Sequence, residues 1–266
     1  MTAPTWDPHQ YLRHADHRTR PFHDLLARIG PLPHEPAPRI ADLGCGAGNA
    51  TAVLTARWPG ARVTGYDNAP PMLERARTTH AGPLLDFAEA DAATWTPTET
   101  YDLIVSNALL QWVPGHAARF PLWLDALAPG GTLAFQVPGN FGAPSHTLMR
   151  ELAESPRWHG RLGGLLRHED AVHSPAAYLE HLTAPGRTVD VWETTYLHLL
   201  QGEDAVLDWV KGTGLRPLLD ALADDPGARD AFLAEYRDLL RTAYPAAPHG
   251  TVFPFRRIFA VARTAG

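Results

Sequence analysis

The stretch Asp42-Leu-Gly44-Cys-Gly46-Ala-Gly48-Asn49 constrains this chain more than any other. It follows a short apolar run, Arg39-Ile-Ala-Asp-Leu43, and precedes a segment with helical spacing. Glycines let the backbone turn sharply and approach a ligand at the start of a helix. Strand, glycine loop and helix make the first half of a βαβ unit, and the pattern then repeats. Strands are expected at 39–43, 62–66, 84–89, 101–106 and 132–137. Helices are expected between them at 49–58, 70–79 and 117–127, the last stopped by Pro129-Gly-Gly131. The run 101–106 is rich in Leu, Ile and Val, as a strand buried on both faces should be. Such alternation predicts an α/β fold, a parallel sheet covered by helices on both faces.

The flanks read differently. Pro21 opens a helical pattern that runs to Ile29, and a proline-rich linker follows it. Beyond about residue 140 the chain is mostly helical, with helices expected at 145–154, 175–181, 203–211, 215–223 and 228–244. Two extended segments interrupt or follow them, 188–198 and 251–262. Pro254 is expected to place the second near an edge or to limit its pairing at the start. The expected organisation is an N-terminal helical segment over 1–34 and a ligand-binding core over 35–140. A mostly helical region over 141–250 carries the sixth strand, and a final strand lies in 251–266.

The glycine spacing is G-x-G-x-G, whereas a dinucleotide fingerprint needs G-x-G-x-x-G. Asp42 would also repel a pyrophosphate. It favours a ligand with a cation near the loop, and S-adenosylmethionine has an ammonium, a sulfonium and no phosphate. The second strand ends in Asp67, which can accept from both ribose hydroxyls. After the third strand, Asp91 is placed to accept from an adenine amino group, and Asn107 lies at the mouth of the sheet after the fourth. Any one of these is ordinarily a turn or N-cap residue. Together they fall in order at the carboxyl ends of successive strands, where such folds bind ligands.

The motifs Asp42-Leu-Gly-Cys-Gly-Ala-Gly48, Gly65-Tyr-Asp67 and Glu89-Ala-Asp91 resemble those of class I S-adenosylmethionine-dependent methyltransferases. The resemblance covers roughly residues 35 to 140. It implies a Rossmann-like, seven-stranded, mostly parallel sheet whose last strand is antiparallel and inserted between the fifth and sixth, with a helical substrate cap. It also implies cofactor contacts from Asp42, Gly44, Gly46, Asp67, Asn68, Asp91, Ala92 and Asn107, with Arg20 on the methionine carboxylate. More particular segments are Trp6-Asp-Pro-His-Gln-Tyr-Leu12, Arg18-Thr-Arg20-Pro21, Asn107-Ala-Leu-Leu-Gln-Trp112 and Trp192-Glu-Thr-Thr-Tyr-Leu-His198. Two further ones are Asp208-Trp-Val-Lys-Gly-Thr-Gly-Leu-Arg-Pro217 and Phe253-Pro-Phe-Arg-Arg-Ile-Phe259. Together they resemble the subfamily that esterifies a carboxylate of trans-aconitate, which implies a tricarboxylate as methyl acceptor.

That chemistry suits the residues present. A carboxylate is ionised at pH 7, with an ordinary pKa of about 4, so it needs no general base. Its partner carboxylates must be held, and guanidinium forks hold them best. Arg216 and Arg257 are the expected holders. Arg256 and Arg257 are adjacent on a strand and point to opposite faces, so at most one faces the pocket. Arg257 is favoured because the subfamily pattern has an arginine two residues before the phenylalanine. Tyr11, Gln111 and Trp112 are expected to line the same mouth, and His173 and His198 to contribute uncharged polar groups. An ordinary surface or packing role is the alternative for each.

Composition narrows the rest. Twenty-nine acidic residues against 23 basic ones give a net charge of −6, which argues against a nucleic-acid partner. Of those 23, 22 are arginines, so positive charge for a polyanion must be concentrated at a few of them. The single cysteine, Cys45, rules out an intramolecular disulfide and a Cys-rich metal site. The pairs His14/His17 and His168/His173 lack the spacing that puts two imidazoles on one helical face, and no metal is expected. No apolar run is long enough to span a membrane and no signal peptide is visible, so a cytoplasmic protein is expected, and nothing in the sequence demands more than a monomer. Two other readings stay open. One is an O-, N- or C-methyltransferase using His198 or His173 as base; the other is a non-catalytic S-adenosylmethionine-binding module. A nicotinamide oxidoreductase is disfavoured by the glycine spacing and Asp42.

Overall fold

The computed structural model describes residues 15–266. Seven strands form one sheet in the order β3-β2-β1-β4-β5-β7-β6. They are β1 (Arg39–Leu43), β2 (Arg62–Asp67), β3 (Leu85–Glu89), β4 (Tyr101–Asn107), β5 (Leu127–Pro138), β6 (Thr188–Leu200) and β7 (Thr251–Arg263). The first five pair in parallel, and β7 runs antiparallel to β5. The sheet is therefore the mostly parallel, seven-stranded one expected, with its seventh strand between the fifth and sixth. The helices are α1 (Ala15–Leu26), α2 (Asn49–Arg57), α3 (Pro70–His80), α4 (Phe120–Asp125), α5 (Pro144–Ala153), α6 (His159–Leu162), α7 (Pro175–Leu182), α8 (Ala205–Lys211), α9 (Arg216–Ala221) and α10 (Pro226–Ala243).

Two compact units share these elements. The sheet unit comprises Arg18–Pro138, Val172–Thr194 and Arg257–Gly266. Its centre is the buried run Tyr101 to Ser106 on β4, flanked by Ile40 and Leu43 on β1 and by Leu133, Phe135 and Val137 on β5. The helical unit comprises Gly139–Ala171 and Thr195–Arg256. Its core gathers Met149, Trp158, Leu207, Trp209, Leu218, Phe232, Tyr236 and Phe253. At the start of α10, the Asp225 carboxylate accepts from the Ala228 amide at 2.9 Å, satisfying an otherwise orphaned donor.

The structure departs from the sequence reading in four places. Pro21 lies inside α1 and not in its first turn, because the polar residues before it, which show no apolar period, are already helical. The helix expected over 117–127 is a 3₁₀ turn, His116–Arg119, followed by the short α4. Pro129-Gly-Gly131 does not separate helix from strand but lies inside β5. The β4–β5 register shifts there, pairing Tyr101 with Leu127 and then Leu103 with Thr132. That bulge needs glycine: Gly130 has φ +76°, and a Cβ on Gly131 would come 2.8 Å from the Ala128 carbonyl oxygen. Finally, β7 is interior. It is thus no edge strand, but its pairing with β5 starts only at Arg257, beyond Pro254, which matches the expected alternative of limited pairing at the start.

Candidate active site

The glycine loop closes the carboxyl end of β1. The amides of Gly44 and Cys45 both donate to the Tyr66 carbonyl, at 2.7 and 3.0 Å. Gly44, Gly46 and Gly48 all have positive φ. A Cβ on Gly44 would sit 2.7 Å from Leu109 Cβ and one on Gly48 2.9 Å from Phe87 Cζ, whereas one on Gly46 would meet nothing within 4 Å. Two of the glycines are thus required by packing, and the third marks the open side of the loop. Beneath it Asp42 is 1% exposed. Thr51 Oγ1 on α2 donates to Asp42 Oδ2 at 2.6 Å, and Oδ1 is buried without a hydrogen-bond partner among the described residues. Burial pushes this carboxyl up from 3.8 to about 7, against the pull of Thr51. Cys45 is buried and its thiol is pushed up by burial and by Asp42 and Asp67, so it stays an unreactive thiol.

Asp67 ends β2 and braces the loop. Its Oδ2 accepts from the Gly46 amide and its Oδ1 from the Ala69 amide, both at 2.9 Å. Burial raises its pKa and these amides oppose the rise. Each oxygen keeps a second lone pair for a ligand hydroxyl. The adjacent Asn68 is exposed. Asp91 is exposed and accepts from the Ala93 amide at 2.9 Å, the turn-closing contact that is the ordinary role of such a residue. Ala92 beside it is buried.

A polar row crosses the sheet at the end of β4. Asn107 pairs in register with Gln136 on β5, and Gln136 pairs with Phe259 on β7. Arg257, two residues before Phe259, shares its face. Gln136 is fully buried and Arg257 is 5% exposed. Arg257 Nη1 donates to Gln136 Oε1 at 3.2 Å, and Gln136 Nε2 donates to Asn107 Oδ1. Arg256 lies in the helical unit, where its guanidinium donates to the Gly139 carbonyl at 3.4 Å. The turn after Asn107 is constrained: Ala108 has φ 57°, rare for a residue with a side chain, and its amide donates to the Gln136 carbonyl at 2.9 Å. Gln111 is buried and donates to the Ala108 carbonyl, and Trp112 beside it is half-buried.

His173 is brought to another place. Its ring lies 5.4 Å from His116, 5.3 Å from Tyr178 and 4.9 Å from His181. Tyr178 packs on Phe135 at 5.1 Å, and Phe135 points to the face of β5 opposite Gln136. The His173 cluster and the Arg257 row therefore lie on opposite faces of the sheet. Burial pushes His116 down to about 4, and burial with His181 lowers His173, so both are neutral at pH 7. Arg20, 73% exposed on α1, lies 3.9 Å from Asp24.

Two candidates belong to the helical unit. Arg216 opens α9 and lies 3.5 Å from Asp220, with its side chain 19% exposed. His198 is buried on β6 and stacks on Trp209, ring centroids 4.8 Å apart. The same unit holds His146, which takes part in a 3.0 Å hydrogen bond with Ser145 Oγ and is pushed down to about 4 by burial and by Arg150. Tyr11 lies outside the described residues. Among the described residues, no group of three His, Cys, Asp or Glu could hold a metal ion, and no helix is long and apolar enough to cross a membrane. Sequence reasoning passed over Gln136. Its one signal is a lone amide in the otherwise apolar run Leu-Ala-Phe-Gln136-Val.

Comparison with known proteins defines the class. Residues 40–131 match a family model described as a methyltransferase domain. Among solved structures, the fold resembles YcgJ of Bacillus subtilis (TM-score 0.56, 14% identity, 92% of this chain and 99% of that one). It also resembles Haemonchus contortus phosphoethanolamine N-methyltransferase 2 in complex with S-adenosyl-L-methionine (TM-score 0.54, 16% identity, 93% of this chain and 53% of that one). The chain thus carries a match to a methyltransferase domain on an α/β fold. Its sequence is 72% identical to a trans-aconitate 2-methyltransferase of Streptomyces coelicolor, over 98% of this chain and 88% of that one. It is 69% identical to the protein of that name from Streptomyces avermitilis (98% and 97% covered) and 46% to that from Rhodococcus jostii (97% and 99% covered). The chain belongs to the trans-aconitate 2-methyltransferase family.

Proposed function

We propose that this protein forms a methyl ester on a carboxylate of trans-aconitate or a closely related tricarboxylate, with S-adenosylmethionine as methyl donor. The observation that carries this reading is the end-to-end likeness to relatives bearing that name, at 72% identity over 98% of the chain. The loop residues fit the donor. Asp42 offers a buried carboxylate oxygen with no hydrogen-bond partner among the described residues, suited to a nearby cation, and Gly46 leaves the loop open to a ligand. Asp67 has lone pairs for the ribose hydroxyls, Asn68, Asp91 and Ala92 flank the adenine, and Asn107 and Arg20 serve the remaining polar groups. When bound, the donor supplies an electrophilic methyl group on a positively charged sulfur.

The residues then have little proton chemistry to do. The acceptor carboxylate is already ionised, and His116 and His173, neutral at pH 7, are not needed as bases. What remains is positioning and removal of water. Arg257 is permanently charged and is held against the neutral Gln136 amide, so it can receive a substrate carboxylate with its fork already oriented. Gln111 and Trp112, of the same unit, shape its surroundings, and Arg216 and His198, of the helical unit, are the further substrate residues that the family likeness suggests. A donor-consumption screen against trans-aconitate, cis-aconitate, citrate and isocitrate tests the reading. Turnover should be fastest with trans-aconitate, and the mass spectrum should show a single methyl ester. Donor binding without turnover on any of the four would leave the two other readings, a methyltransferase with a different acceptor and the donor-binding module.

A further inference from the structure

Gln136 is a primary amide at zero exposure in the middle of the sheet, between Phe135 and Val137. An amide placed there is costly unless both of its ends are bonded. Both are, and the partners come from two different strands: Arg257 on β7 and Asn107 on β4. Their chemistry fixes the direction of the chain. A guanidinium has only donors, so Gln136 must turn its oxygen to Arg257. Its NH₂ then faces Asn107, which must answer with Oδ1. The NH₂ of Asn107 is thereby turned away from Gln136. The orientation of an amide is ordinarily ambiguous, but here the arginine settles it.

We infer that Gln136 is a positioning residue for the methyl transfer: it clamps the Arg257 guanidinium and orients Asn107 so that this residue meets a bound ligand with a donor. The inference rests on the reading of Arg257 as a substrate holder. It adds that the substrate arginine and the residue at the mouth of β4 are set by one side chain. Asn107 therefore presents its NH₂ to acceptor groups of a ligand, such as carboxylate oxygens.

The test measures kcat, KM for trans-aconitate, donor affinity and thermal melting for Gln136→Met, Gln136→Glu, Arg257→Met and the double variant Gln136→Met/Arg257→Met. Gln136→Met should raise KM by about tenfold or more while kcat falls by less than about threefold, the pattern of lost binding and not of lost fold. In the Arg257→Met background it should cost less than about twofold further in kcat/KM, since its partner is gone. Gln136→Glu keeps a partner for Arg257 and supports the fold if the Met variant melts too early. It offsets the arginine's charge and forces Asn107 to turn over, so KM should again rise by about tenfold. KM within about twofold of the parent in both Gln136 variants, or losses that multiply in the double variant, would overturn the inference. An unchanged KM in Arg257→Met would instead overturn the reading of Arg257 itself, whatever the Gln136 variants show.

Discussion

The two units bury different chemistry. Inside the sheet unit lie Asp42, Thr51, Ser106, Gln136 and Arg257, all polar and all near the carboxyl ends of parallel strands or the loop that follows β1. Inside the helical unit the core is mostly aromatic and aliphatic, with Trp209, Phe232, Tyr236 and Phe253 at its centre. Its charges lie on the surface, in pairs such as Arg161–Asp225 and Arg241–Glu203. A buried polar group stabilises a fold poorly and positions a ligand well, because its hydrogen bonds leave it one orientation. The contrast teaches that buried Asp and Arg side chains, Asp42, Asp102 and Arg257, are found among the described residues of the sheet unit, whereas the buried polar residues of the helical unit, Asn140, Ser145, His198 and Thr251, include no Asp, Glu, Lys or Arg.

The largest effect should come from the packing of the helical unit's core. Phe232→Ala should lower stability by about 3–5 kcal/mol in urea unfolding, with donor affinity of the folded fraction unchanged. A loss under about 1 kcal/mol would break the contrast from the helical side. Arg257→Met should have a different profile: kcat/KM for trans-aconitate lower by about 100-fold, roughly 3 kcal/mol, with a smaller stability loss of about 1–3 kcal/mol from the Gln136 side-chain carbonyl left without its partner. Arg216→Ala should weaken trans-aconitate binding by about 1.5–3 kcal/mol and leave donor affinity nearly unchanged, as titration calorimetry would show.

The smallest effect concerns Asp42, where the cost of a buried polar group is measurable directly. Its carboxyl is raised from 3.8 to about 7 by burial. The folded state therefore prefers the protonated form. That contribution is full below about pH 4 and is lost as the pH rises through about 7. Asp42→Asn should thus be more stable than the parent by about 1–2 kcal/mol at pH 8 and nearly equal to it at pH 4. Its donor affinity should fall. Equal stability at both pH values would mean that the buried carboxylate is better solvated than the geometry indicates.

Much of the sheet unit was legible because local rules govern it. Period and punctuation located β1 to β4 and the glycine loop within a residue or two, and the ordered acids Asp42, Asp67 and Asp91 mark strand ends. What could not be read depends on partners far along the chain. The bulge at Gly130 and Gly131 exists because β5 must pair with Tyr101 as well as Leu103. Gln136 gains its meaning from Arg257, 121 residues away. His173 was a substrate candidate as an uncharged polar group, and only the packing of Tyr178 on Phe135 places its cluster across the sheet from Arg257. In the helical unit the helices other than the single turn α6 (His159–Leu162) were visible from their periods, but which arginine is buried and which is paired is decided by tertiary contacts.

The central claim is that an ionised carboxylate, held by arginines, takes the methyl group without a general base. Its most direct test is kcat for trans-aconitate methylation at saturating donor and acceptor, from about pH 6 to 9, because kcat reports groups in the bound complex. The account predicts a flat profile, because the bound cationic donor holds the Asp42 carboxylate ionised across this range. A fall of tenfold per pH unit on the acid side, following an imidazole titration near its ordinary value of about 6.5, would contradict it.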